Sequence, residues 1–517
     1  MTARFSRVTE LASNARFAAS FALRALAEDP ARLARLAGRR AGIALRAHRR
    51  ARRAAAAVPA ATVPPPSAAP APRAAPVATS PGQDAGVRVL HHLTNSLPHT
   101  LSGYTLRSHA ILRAQREAGI VAHATTRAGY PLSIGALAAR HTDVVDGIAY
   151  ERLIPRAVRR GPARSLTEAI DLLADVATRE RAQVIHATTP ATTGEVARGA
   201  AKTLGVPWVY EVRGLPEETW AASHATLAGR EAAAASDRFR EMRDRETSLA
   251  LAADAVVTLS NTMRDELVGR GVPAARISVV PNAVADSLLE AEHPTTAQAR
   301  AALGLPADGV LLGAVSSLVG YEGQDTILRT VAELRARGIE ARALIVGDGA
   351  ARRSLAAFAA HLRLEVGRLA ILPGRVSRAD AITYVAALDV VMVPRRPDRV
   401  TRLVTPLKPV EAMAIGRPVV ASDLPALAEA CGGAGVLVPP DDVLDWADAA
   451  ERLVTDSAFR TGRVAAGHEV ALTRTWGRLT ATYRGVYAQA ASSHAEGRRN
   501  RLPRPYAGRP ASHSDDV

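Results

Sequence analysis

From Gly86 onward, short apolar runs alternate with longer segments whose apolar residues recur every three or four positions. The runs Val87–Leu93, Ile120–Thr125, Val184–Ala187, Pro207–Val212 and Ala255–Ser260 read as buried strands. Between them, Tyr104–Ala118, Thr167–Glu180, Gly194–Leu204 and a charged stretch over 228–252 read as helices, and Ser260 is the candidate cap of another. The second half repeats the scheme, with strands at 310–316, 342–347, 369–373, 389–393, 418–422 and 435–438 and helices between them. Asp442–Thr455 and Ala465–Gln489 read as closing helices. Such alternation predicts an α/β chain: two doubly wound parallel sheets, with ligands bound beyond the C-terminal ends of the strands.

The flanks follow a different pattern. Residues 1–56 interleave Ala, Leu and Arg and read as helical, whereas 57–85 are rich in Pro and Ala and read as an extended linker. The net charge of +16 is concentrated here, since residues 1–60 hold thirteen arginines against Glu10, Glu28 and Asp29. Two readings of the tail stay open: a helix drawn to an anionic membrane surface, or a solvated basic tail. The body carries no nucleic-acid motif, so no nucleic-acid partner is expected. No apolar run reaches the ~18 residues of a membrane span, and Phe17–Ala27 is broken by Arg24 and lacks a good cleavage site for a signal peptide. The single cysteine, Cys431, excludes an internal disulfide and any cysteine-built metal centre, and fits a reducing cytoplasm.

The chemically most informative stretch is Thr405–Asp423. It reads as turn, helix, glycine stop and buried strand. Lys408 and Glu411 share a helix face one turn apart, near a helix start where N–H groups and the dipole favour an anion. Gly416 and Pro418 end the helix. This arrangement suits a nucleoside diphosphate, with Lys408 and backbone N–H groups on phosphate and Glu411 on ribose hydroxyls.

The stretch resembles the donor-site signature of the family 4 retaining glycosyltransferases, which have the GT-B fold of two Rossmann-like domains facing across a cleft. Four further segments resemble that family's donor domain in order: Gly313–Gly323, Ala343–Gly349, Ile371–Val376 and Ala387–Pro394. Val280–Val284 resembles its interdomain hinge. Ordered matches over about 140 residues are far more specific than any one motif. Leu97–Leu112 and Tyr210–Gly214 resemble a subgroup associated with bacterial exopolysaccharide assembly.

The resemblance implies an acceptor-side domain over 86–283, a nucleotide-sugar domain over 284–465 and a helix over 466–490 crossing back to the first domain; the polar residues 491–517, with Gly and Pro, read as a disordered tail. It implies His186, Arg213, Lys408 and Glu411 as catalytic candidates. It implies a donor site formed by Ser102, Gly103, Ser317, Gly320, Gly323, Gly374, Arg375, Thr405, Pro406 and Leu407, to which the loop beside the signature adds Arg396 as a compensating cation. Gly320 and Gly323 would let backbone approach phosphate or sugar, or would simply serve a strand–helix turn. An Arg at 213 cannot act as a base; it would stabilise charge. No metal and no cofactor are expected.

The chain departs from the family at three charged positions. The family places Arg and Lys where this chain has Ser317 and Glu322, and Glu where it has Leu403. The loop carrying Arg395, Arg396, Arg399 and Arg402 lies beside the signature. One or two of these, with Lys408, are expected to replace the missing cations; the bland alternative is a solvated basic loop.

The resulting expectation is a cytoplasmic enzyme, peripheral at the inner face of the plasma membrane. It would move a hexose from a UDP- or GDP-sugar, with retention, to a lipid-linked or polysaccharide acceptor. Two rivals share the architecture: a catalytically weak scaffold subunit of a glycan-assembly complex, and a sugar-nucleotide epimerase.

Overall fold

The computed structural model describes residues 86–136, 141–156 and 162–499. The expected basic tail (1–56) and linker (57–85) lie outside the described residues.

The first sheet contains β1 (Arg88–Leu93), β2 (Val121–Thr126), β3 (Thr142–Val145), β4 (Ile148–Arg152), β5 (Val184–Thr188), β6 (Trp208–Val212), β7 (Ala255–Thr258) and β8 (Ile277–Val279). Their order is β3-β4-β2-β1-β5-β6-β7-β8, parallel except for the β3–β4 pair. The second sheet contains β9 (Val310–Val315), β10 (Ala341–Val346), β11 (Ala370–Gly374), β12 (Val390–Val393), β13 (Val419–Ser422) and β14 (Val436–Val438). Its order β11-β10-β9-β12-β13-β14 is all parallel. In each sheet the order reverses beside the first strand, between β1 and β5 and between β9 and β12. Loops leave such a point in opposite directions and open a crevice.

Both sheets are buried on two faces, which is why their strands are continuous apolar runs rather than alternating ones. In the second sheet, Leu312, Ala314, Ile345 and Met392 pack on one face, and Leu311, Leu344, Val391 and Val393 on the other.

Some elements differ from the sequence expectation. The helix expected over 228–252 is two, Leu227–Ala234 and Asp237–Ala252, because Ser236 caps a new start by accepting from the Phe239 N–H. The helix expected over 465–489 is also two, Ser457–Thr473 and Trp476–Arg499. The second continues past the residue 491 at which a disordered tail was expected. It lays Trp476, Tyr483, Val486, Tyr487 and Ala490 against Val89, Ile111, Val184, Val209 and Val257 of the first sheet and its cover. The two chain crossings between the halves run side by side: the Val284 N–H donates to Arg474 O (3.0 Å) and the Trp476 N–H to Val284 O (3.0 Å). Ser260 caps the helix Asn261–Gly269 as expected. No helix among the described residues is long and apolar enough to cross a membrane.

Candidate functional site

The crevice of the second sheet opens between the loops after β9 and β12. Gly323 brings them together. Its φ is +66°, and a Cβ there would lie 1.8 Å from the Pro394 carbonyl oxygen, so no other residue fits. The Arg396 N–H donates to Tyr321 O across the same contact (3.0 Å). These constraints hold Glu322, only 7% exposed, under the loop that follows β12.

The Glu322 carboxylate accepts from Arg395 (2.7 Å) through one oxygen and from the Lys408 ammonium through the other. Burial alone raises a carboxyl pKa; here the Arg395 and Lys408 cations outweigh it and hold Glu322 at about 2. Burial lowers Lys408, with Glu322 opposing. Arg395 also donates to Val404 O (2.7 Å), and its own carbonyl accepts from the Ser422 hydroxyl (2.7 Å). It thereby straps the turn Val404–Leu407 that leads into the signature helix. Asn282 of the hinge donates to Thr405 O in the same turn (3.0 Å). Arg395 Nε and Thr405 Oγ1 are buried without partners among the described residues.

The signature helix, Lys408–Ala414, has only seven residues, and Pro409 in its first turn has no N–H to offer. The anion-binding helix start expected from the sequence is therefore weaker than expected, and the positive charge here is carried by side chains. Glu411 projects one turn on; its side chain is 30% exposed and 3.9 Å from Arg378. Burial raises its carboxyl pKa, with Arg378 and Lys408 opposing.

Pro406 is buried and Leu407 half-buried in the turn beneath Lys408. Ser317 is exposed, and its carbonyl accepts from Gln324 (3.0 Å). Gly320 is exposed with open space around it, so its glycine character is not sterically required. Gly374 ends β11 with φ +89° and Arg375 beyond it is exposed. Arg396, expected to stand beside Lys408, instead pairs with Asp325 at 3.0 Å. The cation that joins Lys408 is its neighbour Arg395. Arg399 pairs across the halves with Glu218 and Glu266 (2.6 Å each), and the exposed Arg402 donates to Pro397 O. Leu403, standing where the family has an acid, packs with Val404 against the apolar core of the first half.

Across the cleft, the Ser102 hydroxyl accepts from the Thr105 N–H and forms a capping box that starts the helix Gly103–Glu117. Gly103 is exposed, and Tyr104 is half-exposed with its hydroxyl donating to Arg213 O (3.4 Å).

His186 and Arg213, expected at the reacting centre, are sealed in the first half, 0% and 2% exposed. Glu211 gathers them. It accepts from Arg213 (2.7 Å) through one oxygen and from Arg107 (2.9 and 3.0 Å) through the other. His186 Nε2 lies 3.2 Å from Glu211, and Tyr483 donates to the same carboxylate (3.3 Å). Arg213 and Arg107 overcome burial and hold the Glu211 carboxyl well below its usual range. His186 Nδ1 shares a hydrogen bond with the Tyr487 hydroxyl (2.9 Å). The burial has a physical cause: the Trp476–Arg499 helix covers His186 with Tyr483 and Tyr487, and Arg213 is tied down by Tyr104 O, the Ser108 hydroxyl and Glu211.

Comparison with known proteins sets this geometry in context. Residues 309–456 match the family model described as glycosyl transferases group 1, and residues 102–283 match the glycosyl transferase 4-like domain. A D-inositol 3-phosphate glycosyltransferase from Saccharomonospora viridis is 31% identical over 315 residues, covering 57% of this chain and 68% of that protein. Another, from a Nocardioides species, is 31% identical over 261 residues, covering 47% of this chain and 56% of that protein. The chain thus spans between about half and two thirds of these curated relatives. Among solved structures, sucrose-phosphate synthase from Thermosynechococcus elongatus superposes with a TM-score of 0.61 at 20% identity, covering 78% of this chain and all of that one. Anabaena HepE in complex with UDP superposes with a TM-score of 0.58 at 18% identity, with 78% and 100% covered. These likenesses give the fold: two Rossmann-like domains in the GT-B arrangement.

Proposed function

The chain belongs to the group 1 glycosyltransferases, and from that membership we propose that it transfers a hexose from a nucleoside diphosphate sugar to an acceptor hydroxyl, retaining configuration and using no metal. The observation that carries the reading is the pairing of Lys408 and Arg395 on Glu322 at the switch point of the second sheet, with Glu411 one turn further along the Lys408 helix. A departing diphosphate gains negative charge in the transition state. Cations fixed beforehand in a water-poor crevice stabilise it more than the ground state. Glu411 suits ribose hydroxyls, and the leaving phosphate itself takes the acceptor proton.

UDP is the first nucleotide to test, because HepE is described with UDP and with UDP-glucose. For the acceptor we propose a lipid-linked or polysaccharide glycan. Support comes from the arginine-rich residues 1–56, suited to an anionic membrane surface, and from the motif resemblance of Leu97–Leu112. The names of the curated relatives point instead to a phosphorylated cyclitol, which becomes the competing acceptor in the assay.

Calorimetry of the full chain with UDP, GDP and ADP tests the donor side. Binding of one nucleotide that drops at least about a hundredfold in Glu411→Ala is the expected result. Binding that survives Glu411→Ala unchanged removes the proposed site. Product analysis with the matching sugar nucleotide then decides between glycan and cyclitol acceptors.

A further inference from the structure

Resting on that reading, we propose that the phosphate-binding half of the donor site is transposed in this chain. Arg395 and Lys408 take the diphosphate charge, and Glu322 is the positioning residue that holds them together. The family pattern of Arg, Lys and Glu sums to +1, whereas Ser317, Glu322 and Leu403 at the same positions sum to −1. Arg395 and Lys408 place two cations on Glu322, so positive charge reaches the switch point from the loop after β12 instead of from the loop after β9.

The geometry selects these three residues. Of the four arginines in the loop after β12, Arg396 and Arg399 are already paired with other carboxylates. Arg402 is exposed and turned to Pro397 O. Arg395 alone shares a carboxylate with Lys408. It is 8% exposed, yet among the described residues its Nε has no partner, and neither does the hydroxyl of Thr405, 7% exposed, in the turn it straps. Unpaired buried polar atoms are costly, and this pair, one on Arg395 and one on the turn that Arg395 straps beside Lys408, suits oxygen-rich phosphate.

The Glu322 side matches this arrangement. The tight turn Gly320–Glu322 and the contact of Gly323 with Pro394 leave the carboxylate little freedom. It balances two cations that would repel each other in a buried crevice. A diphosphate carries more than one negative charge and competes successfully for both. Leu403 has left the polar site and fastens the two halves through apolar contact.

The experiment compares a nucleoside diphosphate with its own nucleoside in the full chain, using whichever of the UDP, GDP and ADP series binds. Arg395→Lys is expected to weaken the diphosphate about tenfold and the nucleoside less than about twofold, because a point charge cannot reproduce the guanidinium fork. Glu322→Gln removes a competing negative charge. It is expected to tighten the diphosphate several-fold while kcat falls, a split that a merely structural role would not give. Thermal melts check that both variants remain folded. If Glu411→Ala abolishes binding while Arg395→Lys and Glu322→Gln leave the diphosphate-to-nucleoside ratio within about twofold, the transposition is wrong and the donor-site reading stands. If no nucleoside diphosphate binds the wild type, both fail.

Discussion

Glu211 in the first half and Glu322 in the second each sit between two cations, and each carboxyl is held low by them. Their surroundings differ. Glu211, Arg107 and Arg213 are 0%, 3% and 2% exposed, and His186 and Tyr483 close round the Glu211 carboxylate. In the second cluster, by contrast, the Lys408 side chain is 18% exposed. The same charge motif thus serves two ends. Closed by the terminal helix, it holds the hinge, since Arg107 also donates to the Val280 and Pro281 carbonyls and to Asn282 Oδ1. Left partly open at a switch point, it presents cations to a ligand.

The comparison breaks most visibly under neutral substitution of each acid. Glu211→Gln leaves two buried guanidinium groups without an anion, and breaking a buried pair in this way costs about 3–5 kcal/mol. Denaturant melts should show that loss. Glu322→Gln should cost less, because the Lys408 ammonium can take up water at the cleft. Equal losses would mean that the second cluster is as closed as the first.

Glu246 sharpens the contrast from the other side. It is a buried acid with no cation on its carboxylate, accepting only from the Tyr210 hydroxyl and the Ala191 N–H. Burial pushes its pKa from 4.5 up to about 7. Between those values the native state keeps a proton that the unfolded chain has lost, so stability falls as pH rises across that window. Glu246→Gln removes that slope and should be more stable than wild type above pH 7 by about 3 kcal/mol. His91 and His92, held at about 3 chiefly by burial, work in the opposite sense by raising stability as pH climbs from 3 towards 6.5. The test is therefore the difference between variant and wild-type melts at pH 5 and pH 8. A difference that does not change with pH refutes the assignment.

What could be read from the sequence follows the same division between local and distant. The second sheet was legible strand by strand, because each buried parallel strand is an apolar run ended by a turn. The β3–β4 hairpin was missed although its signal was present: Asp146-Gly147, flanked by Val and Ile, takes positive φ at both residues, as a two-residue hairpin turn requires. The break at Ser236 was also a local cap signal, overridden by the run of charged residues on either side. The two glutamate clusters were not legible. Glu322 meets Arg395 and Lys408 across 73 and 86 residues, and Glu211 meets Tyr483 across 272. No periodicity reports such pairs. The family pattern showed which charges were missing at Ser317 and Glu322, but choosing Arg395 over Arg396 required knowing that Gly323 abuts Pro394.

The smallest expected effect concerns what joins the halves beside the cleft. Arg399 bridges to Glu218 and Glu266, yet its side chain is 54% exposed, and exposed pairs contribute only about 0.2–1 kcal/mol. Leu403 and Val404, one turn further on, enter the apolar core of the first half. If the apolar contact fastens this face, Arg399→Ala should cost under about 1 kcal/mol and leave nucleoside diphosphate affinity unchanged. Leu403→Glu, which restores the family's residue, should cost more, because it places a charge against that apolar core. The reverse order in denaturant melts would assign the joint to the ion pairs.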